Sequence, residues 1–148
     1  MMYNGVIEAK LRIIEEKLGE IESWQIDSFR TFSANSLFQN AVERALQVMI
    51  EAVIDTGERI LAIEKEPPTS SSSAVISRLQ ELGILSYNKD YLDMVRFRNF
   101  IVHRYEKIDL EIVYAILKNK LPAFRTFIDE IRKAAQKSHK PIITNKVY

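Results

Sequence analysis

The 148-residue sequence contains no cysteine, so it has neither disulfide bonds nor thiolate metal sites, and nothing ties it to an oxidising compartment. It also lacks a long apolar run. Its N-terminal region is studded with charged residues, unlike a signal peptide, and charges interrupt every apolar stretch well before the roughly 20 residues of a membrane span. We therefore expect a cytoplasmic protein without membrane contact.

Glycine and proline are also scarce, at four residues each, and runs of β-branched residues are few. Apolar residues instead recur at helical spacing, which predicts an all-α protein that forms a single domain over residues 1–148. Residues 65–73, KEPPTSSSS, are the one obvious loop. The C-terminal residues 138–148 are predicted to form a loose tail.

Five segments carry the helical pattern, at about residues 3–24, 36–63, 74–82, 90–105 and 109–135. Ser36 and Gln39 resemble a capping box at the start of the second helix, and Gly83 suits the left-handed position that ends the third. Asp109 is a predicted N-cap of the last helix, which Pro122 should kink or restart. In the first helix the apolar residues form one seam: Ile7, Leu11, Ile14, Leu18 and Ile21.

The net charge of +1 hides an asymmetry between the two halves of the chain. Residues 1–66 contain 7 basic and 12 acidic residues, a net of −5, whereas residues 67–148 contain 14 and 8, a net of +6. The basic half permits contact with RNA phosphates, but two exposed helix faces of opposite sign would give the same balance, and we favour that interpretation.

The stretch RNFIVHRY, residues 98–105, puts polar groups into a helix that otherwise has a buried pattern. At 100° per residue from Met94, Arg98 lies at about 40° and Tyr105 at about 20°, both within the apolar stripe. A guanidinium keeps its charge, so Arg98 needs a carboxylate, a phosphate or a wet cleft. One interpretation pairs it with an acid of an earlier helix, such as Glu51 or Asp55.

His103 lies at about 180° on the same helix and Asn99 at about 140°, so Asn99 is placed to orient the imidazole. Arg98 and His103 are about 140° apart around an ideal helix. They reach one phosphate if the helix bends or ends there, or if two copies share a cleft across a twofold axis, which we prefer. Metal-free RNA cleavage needs a base, an acid and a cation, and two facing motifs supply that set.

These residues resemble a known family signature. Arg98 and His103 match the R-x4-H pattern of the HEPN superfamily of helical ribonuclease domains, and Asn99 and Tyr105 complete the fuller R-N-x-x-x-H-x-Y pattern of its HepT subgroup. The order of the other segments, including VMIEAVIDTGERI and ILKNKLPAFRTFI, is similar over nearly the whole chain. Arg96 departs from the family, where a smaller residue is commoner.

The resemblance implies an up-and-down bundle of about five helices that forms a homodimer and cleaves RNA without a metal or cofactor. Arg98 and His103 would be catalytic and Asn99 supporting. The resemblance also implies a partner, an MntA-like nucleotidyltransferase antitoxin that AMPylates Tyr105. The added bulk and negative charge would then exclude RNA from the cleft.

Basic residues near the motif are candidates for RNA binding, although such residues more often form a solvated face. The candidates are Arg96, Arg104 and Lys107, followed by Lys118, Lys120 and Arg125. Two other functions remain open. One is a non-catalytic helical partner of a nucleotidyltransferase that binds nucleotide or substrate, and the other is a structural dimer with a buried arginine–carboxylate pair.

Overall fold

The computed structural model describes residues 5–102 and 109–145, and every regular element within these ranges is an α-helix. The all-α prediction is therefore confirmed, although these ranges contain seven helices rather than about five. The helices are α1 (Gly5–Ser23), α2 (Phe29–Ser33), α3 (Ser36–Ile63), α4 (Ser72–Glu81), α5 (Asp90–Val102), α6 (Leu110–Asn119) and α7 (Leu121–Asn145). No described helix is long and apolar enough to cross a membrane.

The core lies around α3, which packs against α1, α2, α4, α5 and α6. Helix α1 contributes the seam from Ile7 to Ile21 that its sequence predicted, and all five of its apolar residues are buried. Phe124 and Phe127 of α7 and Tyr91 of α5 are also fully buried. Burial of this apolar surface is the main force that holds the helices together.

The start of α3 differs from the predicted capping box. Asn35, not Ser36, is the N-cap, and its Oδ1 accepts hydrogen bonds from the backbone N–H groups of Leu37 and Phe38, at 3.0 and 3.1 Å. The Nε2 of Gln39 donates to backbone carbonyls at the end of α2 instead of reaching back to a cap. The cap was therefore predicted one residue too late, because α2, whose carbonyls bind the Gln39 side chain, was not predicted.

The end of α4 confirms the prediction for Gly83. Gly83 has a φ of +76°, and its N–H donates to the carbonyl of Gln80 at 3.0 Å, while the N–H of Ile84 donates to the carbonyl of Leu79 at 2.9 Å. These two bonds form a Schellman motif, which satisfies the last carbonyls of the helix. Helix α4 begins at Ser72, two residues before the predicted start, because the side chain of Ser71 caps it.

The region after residue 109 forms two helices. Asp109 caps α6, as predicted, by accepting a hydrogen bond from the Glu111 N–H at 2.9 Å. Pro122 restarts rather than kinks the helix, since it lies in the first turn of α7, where no intrahelical N–H donor is needed. The backbone of α7 is helical to Asn145, so residues 138–145 continue the helix, and the looseness of the predicted tail stays a prediction.

Ion pairs join basic residues of the second half of the chain to acidic residues of the first half. Arg132 of α7 donates to Glu8 at 2.6 Å and to both carboxylate oxygens of Glu15 at 3.0 Å on α1. Arg125 pairs with Glu22 in the same interface. At these positions basic residues of the second half pair with acidic residues of the first, whereas the interpretation as two exposed helix faces of opposite sign stays a prediction.

Candidate active site on α5

The N-terminal half of α5 is fixed by polar contacts at both of its sides. The Nζ of Lys120 donates to Asp90 at 2.7 Å and to Asp93 at 3.4 Å, and the hydrogen bond to Asp90 is the main reason that the pKa of Lys120 is raised. The buried Tyr91 hydroxyl donates to Glu130 of α7 at 2.6 Å, and burial raises the pKa of Tyr91 far above its ordinary value. This anchoring sets the rotation of α5 and so the direction of the motif.

Arg98 lies on the side of α5 that faces the bundle, as predicted. It is half-buried, and its neighbours Met94, Val95 and Phe97 are buried. Its Nη1 donates to the Oδ1 of Asn99 at 3.3 Å, whereas its Nε is buried without any hydrogen-bond partner. The Nε of Arg98 is therefore a hydrogen-bond donor without a described acceptor, next to buried apolar side chains.

The interpretation that pairs Arg98 with Glu51 or Asp55 is wrong for the described residues. Glu51 accepts a hydrogen bond from Gln47 at 3.4 Å, and Asp55 pairs with Lys10 of α1 at 3.4 Å. Among residues 5–102 and 109–145 no carboxylate forms an ion pair with Arg98. A half-buried guanidinium that pairs with no described carboxylate is a suitable ligand for an anion such as an RNA phosphate.

The other predicted site residues divide into two groups. Asn99 is half-buried beside Arg98, and Arg96 is 75% exposed and donates to Asp93 at 3.3 Å. The remaining candidates lie outside the described residues, and their positions stay predictions: His103, Arg104, Tyr105 and Lys107. The structure therefore brings Arg98 and Asn99 together and does not describe the rest of the motif.

Three further basic candidates already have partners within the chain. Lys120 binds Asp90 and Asp93, Arg125 binds Glu22, and the Nζ of Lys118 lies 5.7 Å from the centroid of the Tyr114 ring. These contacts give each of the three residues a role within the fold that does not require RNA.

An apolar groove next to the motif was missed by the sequence reasoning. It has a volume of about 340 Å³, lies between α3, α5, α6 and α7, and has Met94, Phe97 and Phe124 among its lining residues. Phe100 of α5 and Ile112 of α6 also line it and are 43% and 44% exposed. A signal for Phe100 existed, since at about 240° from Met94 it falls outside the buried stripe.

Comparison with known proteins places these features in a family. The family model described as Ribonuclease HepT-like matches residues 14–131, a range that includes the motif. A curated mRNA nuclease HepT of Shewanella oneidensis is 28% identical over 131 residues, covering 87% of this chain and 98% of that protein. A tRNA nuclease HepT of Aphanizomenon flos-aquae is 24% identical over 128 residues, covering 85% of this chain and 87% of that protein.

A solved structure has a similar fold. It contains the tri-AMPylated HEPN toxin of Shewanella oneidensis in complex with MNT antitoxin. The match has a TM-score of 0.80 and 26% sequence identity, and it covers 88% of this chain and 99% of that one.

Proposed function

Because this chain belongs to the HepT-like ribonuclease family, we propose that it is the toxin of a toxin–antitoxin pair, a metal-independent endoribonuclease. The observation that carries this proposal is the half-buried Arg98, whose Nε has no partner and which pairs with no described carboxylate. The names of the nuclease relatives support RNA as the substrate. The enzyme works in the cytoplasm, where RNA is found.

The reaction is an in-line attack within the RNA strand. The 2′-hydroxyl attacks the adjacent phosphorus and gives its proton to a base, and the bond from phosphorus to the 5′-oxygen breaks as that oxygen receives a proton from an acid. The products end in a 2′,3′-cyclic phosphate and a 5′-hydroxyl. His103 serves as base in one copy and as acid in the other, since each chain supplies one such imidazole to the cleft.

Arg98 stabilises the charge that grows on the non-bridging oxygens. Its partly desolvated guanidinium makes a stronger contact with an anion than an exposed one would, because less water screens the pair. Asn99 holds one edge of the guanidinium through the 3.3 Å hydrogen bond, and no described carboxylate binds the rest. The arrangement therefore orients the cation before RNA arrives.

The partner of this toxin is an MntA-like nucleotidyltransferase antitoxin that transfers AMP from ATP to the Tyr105 hydroxyl and releases pyrophosphate. The tri-AMPylated toxin in the complex with MNT antitoxin supports this regulation. Mass spectrometry after coexpression should find AMP on the peptide that contains Tyr105, and a Tyr105→Phe toxin should stay active beside the antitoxin. An unmodified Tyr105 in a silenced complex would contradict the proposed mode of silencing.

The catalytic roles are tested by His103→Ala and Arg98→Ala, assayed with purified protein and RNA in EDTA. We expect His103→Ala to abolish cleavage and Arg98→Ala to reduce it by about 100-fold or more, since a donor to a developing oxyanion contributes that much. Arg59→Ala is the control, because it removes an exposed guanidinium from α3, away from the motif, and should leave cleavage unchanged. Wild-type cleavage by His103→Ala would refute the assignment.

A thermal melt separates catalysis from a structural role of Arg98. Because its Nε has no hydrogen-bond partner and no described carboxylate binds it, we expect the free energy of unfolding of Arg98→Ala to stay within about 1 kcal/mol of wild type. A loss of activity that merely follows a large loss of stability would favour the structural dimer. RNA that stays intact with the wild-type protein would favour the non-catalytic binding partner.

A further inference from the structure

Every described side-chain hydrogen bond between α5 and the rest of the chain comes from the first turn of that helix. Lys120 binds Asp90 and Asp93, and the Tyr91 hydroxyl donates to Glu130 of α7 at 2.6 Å. The later turns of α5 contribute buried apolar side chains instead. The rotation and tilt of the whole helix therefore depend on how its first turn is held.

No described hydrogen bond or ion pair fixes Arg98 to another helix. Its Nη1 donates at 3.3 Å to Asn99 of the same helix, and its Nε has no partner. The bond to Asn99 moves with α5, so it orients the guanidinium relative to the helix but not relative to the bundle. The direction of the guanidinium in the molecule is therefore set by the placement of α5.

Tyr91 lies along the same line of α5 as Arg98. The two residues are seven positions apart, which is two helical turns less about 20°, and roughly 10 Å along the axis. The fully buried ring of Tyr91 meets Phe127 of α7 edge to face, with ring centroids 6.0 Å apart. Glu130 follows Phe127 by three positions and so lies on the same side of α7. Helix α7 therefore holds both the ring and the hydroxyl of Tyr91.

Glu130 also holds the segment that leads into α5. The Oε1 atom that accepts from Tyr91 accepts a second hydrogen bond, at 3.1 Å, from the backbone N–H of Ser86. Hydrogen bonds to a carboxylate are stronger than those to a neutral acceptor. Burial raises the pKa of Tyr91 far above its ordinary value, so its hydroxyl stays a donor. One oxygen thus fixes the entry to α5 and its first turn at the same point of α7.

We propose that Tyr91 and Glu130 are positioning residues of the ribonuclease site, which set the direction of Arg98 through the rotation and tilt of α5. A tilt of about 5° at the first turn would displace Arg98 by about 1 Å, because the two lie roughly 10 Å apart along the axis. A misplacement of about 1 Å can lower a rate by about 100-fold. The inference rests on the proposed function and adds two residues outside the R-N-x-x-x-H-x-Y pattern.

The first test is Tyr91→Phe, which removes the hydroxyl and keeps the buried ring. We expect kcat for RNA cleavage to fall by about 10-fold or more while KM stays within about 2-fold, because Arg98 acts on charge that appears only in the transition state. Tyr87→Phe is the matched control, since Tyr87 is 76% exposed on the segment before α5. Rates are measured well below the melting temperature of each variant. A wild-type kcat in Tyr91→Phe would overturn the proposal.

The second test compares two substitutions of Glu130. In Glu130→Gln the amide oxygen still accepts from Tyr91 and Ser86, so we expect this conservative variant to keep most of kcat. Glu130→Leu offers no acceptor and should lower kcat by about as much as Tyr91→Phe. Equal losses of kcat in the Gln and Leu variants would contradict the role assigned to the hydrogen bond.

A spectroscopic test follows the guanidinium without RNA. The Nε–H signal of Arg98 is assigned in a proton–nitrogen correlation spectrum by its absence from Arg98→Ala. We expect Tyr91→Phe to shift this signal, because the guanidinium takes a different place among its buried neighbours, and Tyr87→Phe to leave it unchanged. A pair that served stability alone would lower the melting temperature without moving the signal. An unmoved Arg98 signal in Tyr91→Phe would therefore refute the positioning role.

The outcomes for the positioning role and for the proposed function differ. If wild type leaves RNA intact but the Arg98 signal moves in Tyr91→Phe, the proposed function fails while the link from Tyr91 to Arg98 stands. If wild type cleaves RNA and Tyr91→Phe keeps both its kcat and its Arg98 signal, the proposed function stands and the positioning role fails.

Discussion

Two buried side-chain atoms have no hydrogen-bond partner within the described ranges, the Oγ1 of Thr56 and the Nε of Arg98. Their consequences differ because one group is neutral and the other charged. A buried hydroxyl without a hydrogen-bond partner lowers the free energy of unfolding by about 1–3 kcal/mol, and as a neutral group it does not attract an anion. The guanidinium of Arg98 is charged and only half-buried, so the same deficit favours binding of an anion.

Thr56→Val should therefore stabilise the protein. Thr56 is fully buried on α3, and valine keeps its β-branched shape while removing the unsatisfied hydroxyl. We expect a gain of about 1 kcal/mol in the free energy of unfolding, measured by urea denaturation. Thr56→Ser keeps the hydroxyl and removes the methyl group, so it should destabilise the protein. A loss of stability in Thr56→Val would indicate that the hydroxyl has a partner.

The sequence predicted on which side of α5 Arg98 lies but not which residues contact it. Helical spacing depends on α5 alone, and the predicted stripe of Met94 and Phe97 is buried. Whether Glu51 reaches Arg98 depends on how α3 is rotated against α5, which is a property of the packed molecule. The role of Phe100 was not predicted, because its helical angle lies outside the apolar stripe and does not indicate which groove it lines.

The close packing of α4 against α3 depends on Gly57 of α3. A Cβ built there would lie 2.6 Å from the Cγ1 of Val75 and 3.0 Å from the Cδ1 of Leu79, so the missing side chain lets α4 approach. From the sequence alone, a glycine inside a helix implies only a lower helix propensity, by about 1 kcal/mol relative to alanine. Its packing role depends on α4 and could not be seen in the periodicity of α3.

Gly57→Ala should destabilise the protein by about 1–2 kcal/mol, because overpacking against α4 outweighs the gain of up to about 1 kcal/mol in helix propensity. Gly19→Ala is the control. It lies in α1 with no atom within 4 Å of the added Cβ, so propensity alone acts and stability should rise. Chemical denaturation measures both. A stabilised Gly57→Ala would mean that α4 moves away easily.

Long helices were predicted better than short connecting elements. The seam of α1 predicted burial correctly at all five positions from Ile7 to Ile21, since a regular repeat over about four turns leaves little ambiguity. Helix α2 was missed because it has only five residues, too few for a repeat. Its N-cap, Ser28, accepts a hydrogen bond from the Thr31 N–H at 3.1 Å and was the available signal.

At the scale of the whole molecule, α7 is joined to α1 by Arg132 and Arg125. Arg132 binds Glu8 and Glu15, and its hydrogen bond holds the pKa of Glu15 below the ordinary value of 4.5. A lowered carboxyl pKa stabilises the folded state above the unfolded pKa and ceases to do so as the pH falls through the folded pKa. The contact is therefore lost in acid.

Glu15→Gln should lower the melting temperature at pH 6 and have a smaller effect near pH 3, because the wild-type carboxyl loses its charge as the pH falls through its lowered pKa. The difference should be below about 1 kcal/mol, because the Glu15 side chain is 41% exposed and solvent screens the pair. Glu16→Gln, on the exposed side of α1, is the control. Equal effects of Glu15→Gln at both pH values would contradict the role of the ion pair.

The contacts between α1 and α7 also bear on synthesis at the ribosome. Glu22 and Arg125 are 103 positions apart, and Glu8 and Arg132 are 124 apart, so the acidic side of α1 leaves the exit tunnel long before its basic partners. The contacts between α1 and α7 therefore cannot form in a nascent chain until α7 has been synthesised. If translation stopped before Arg125, the released product would contain α1 without the basic residues of α7 that bind it.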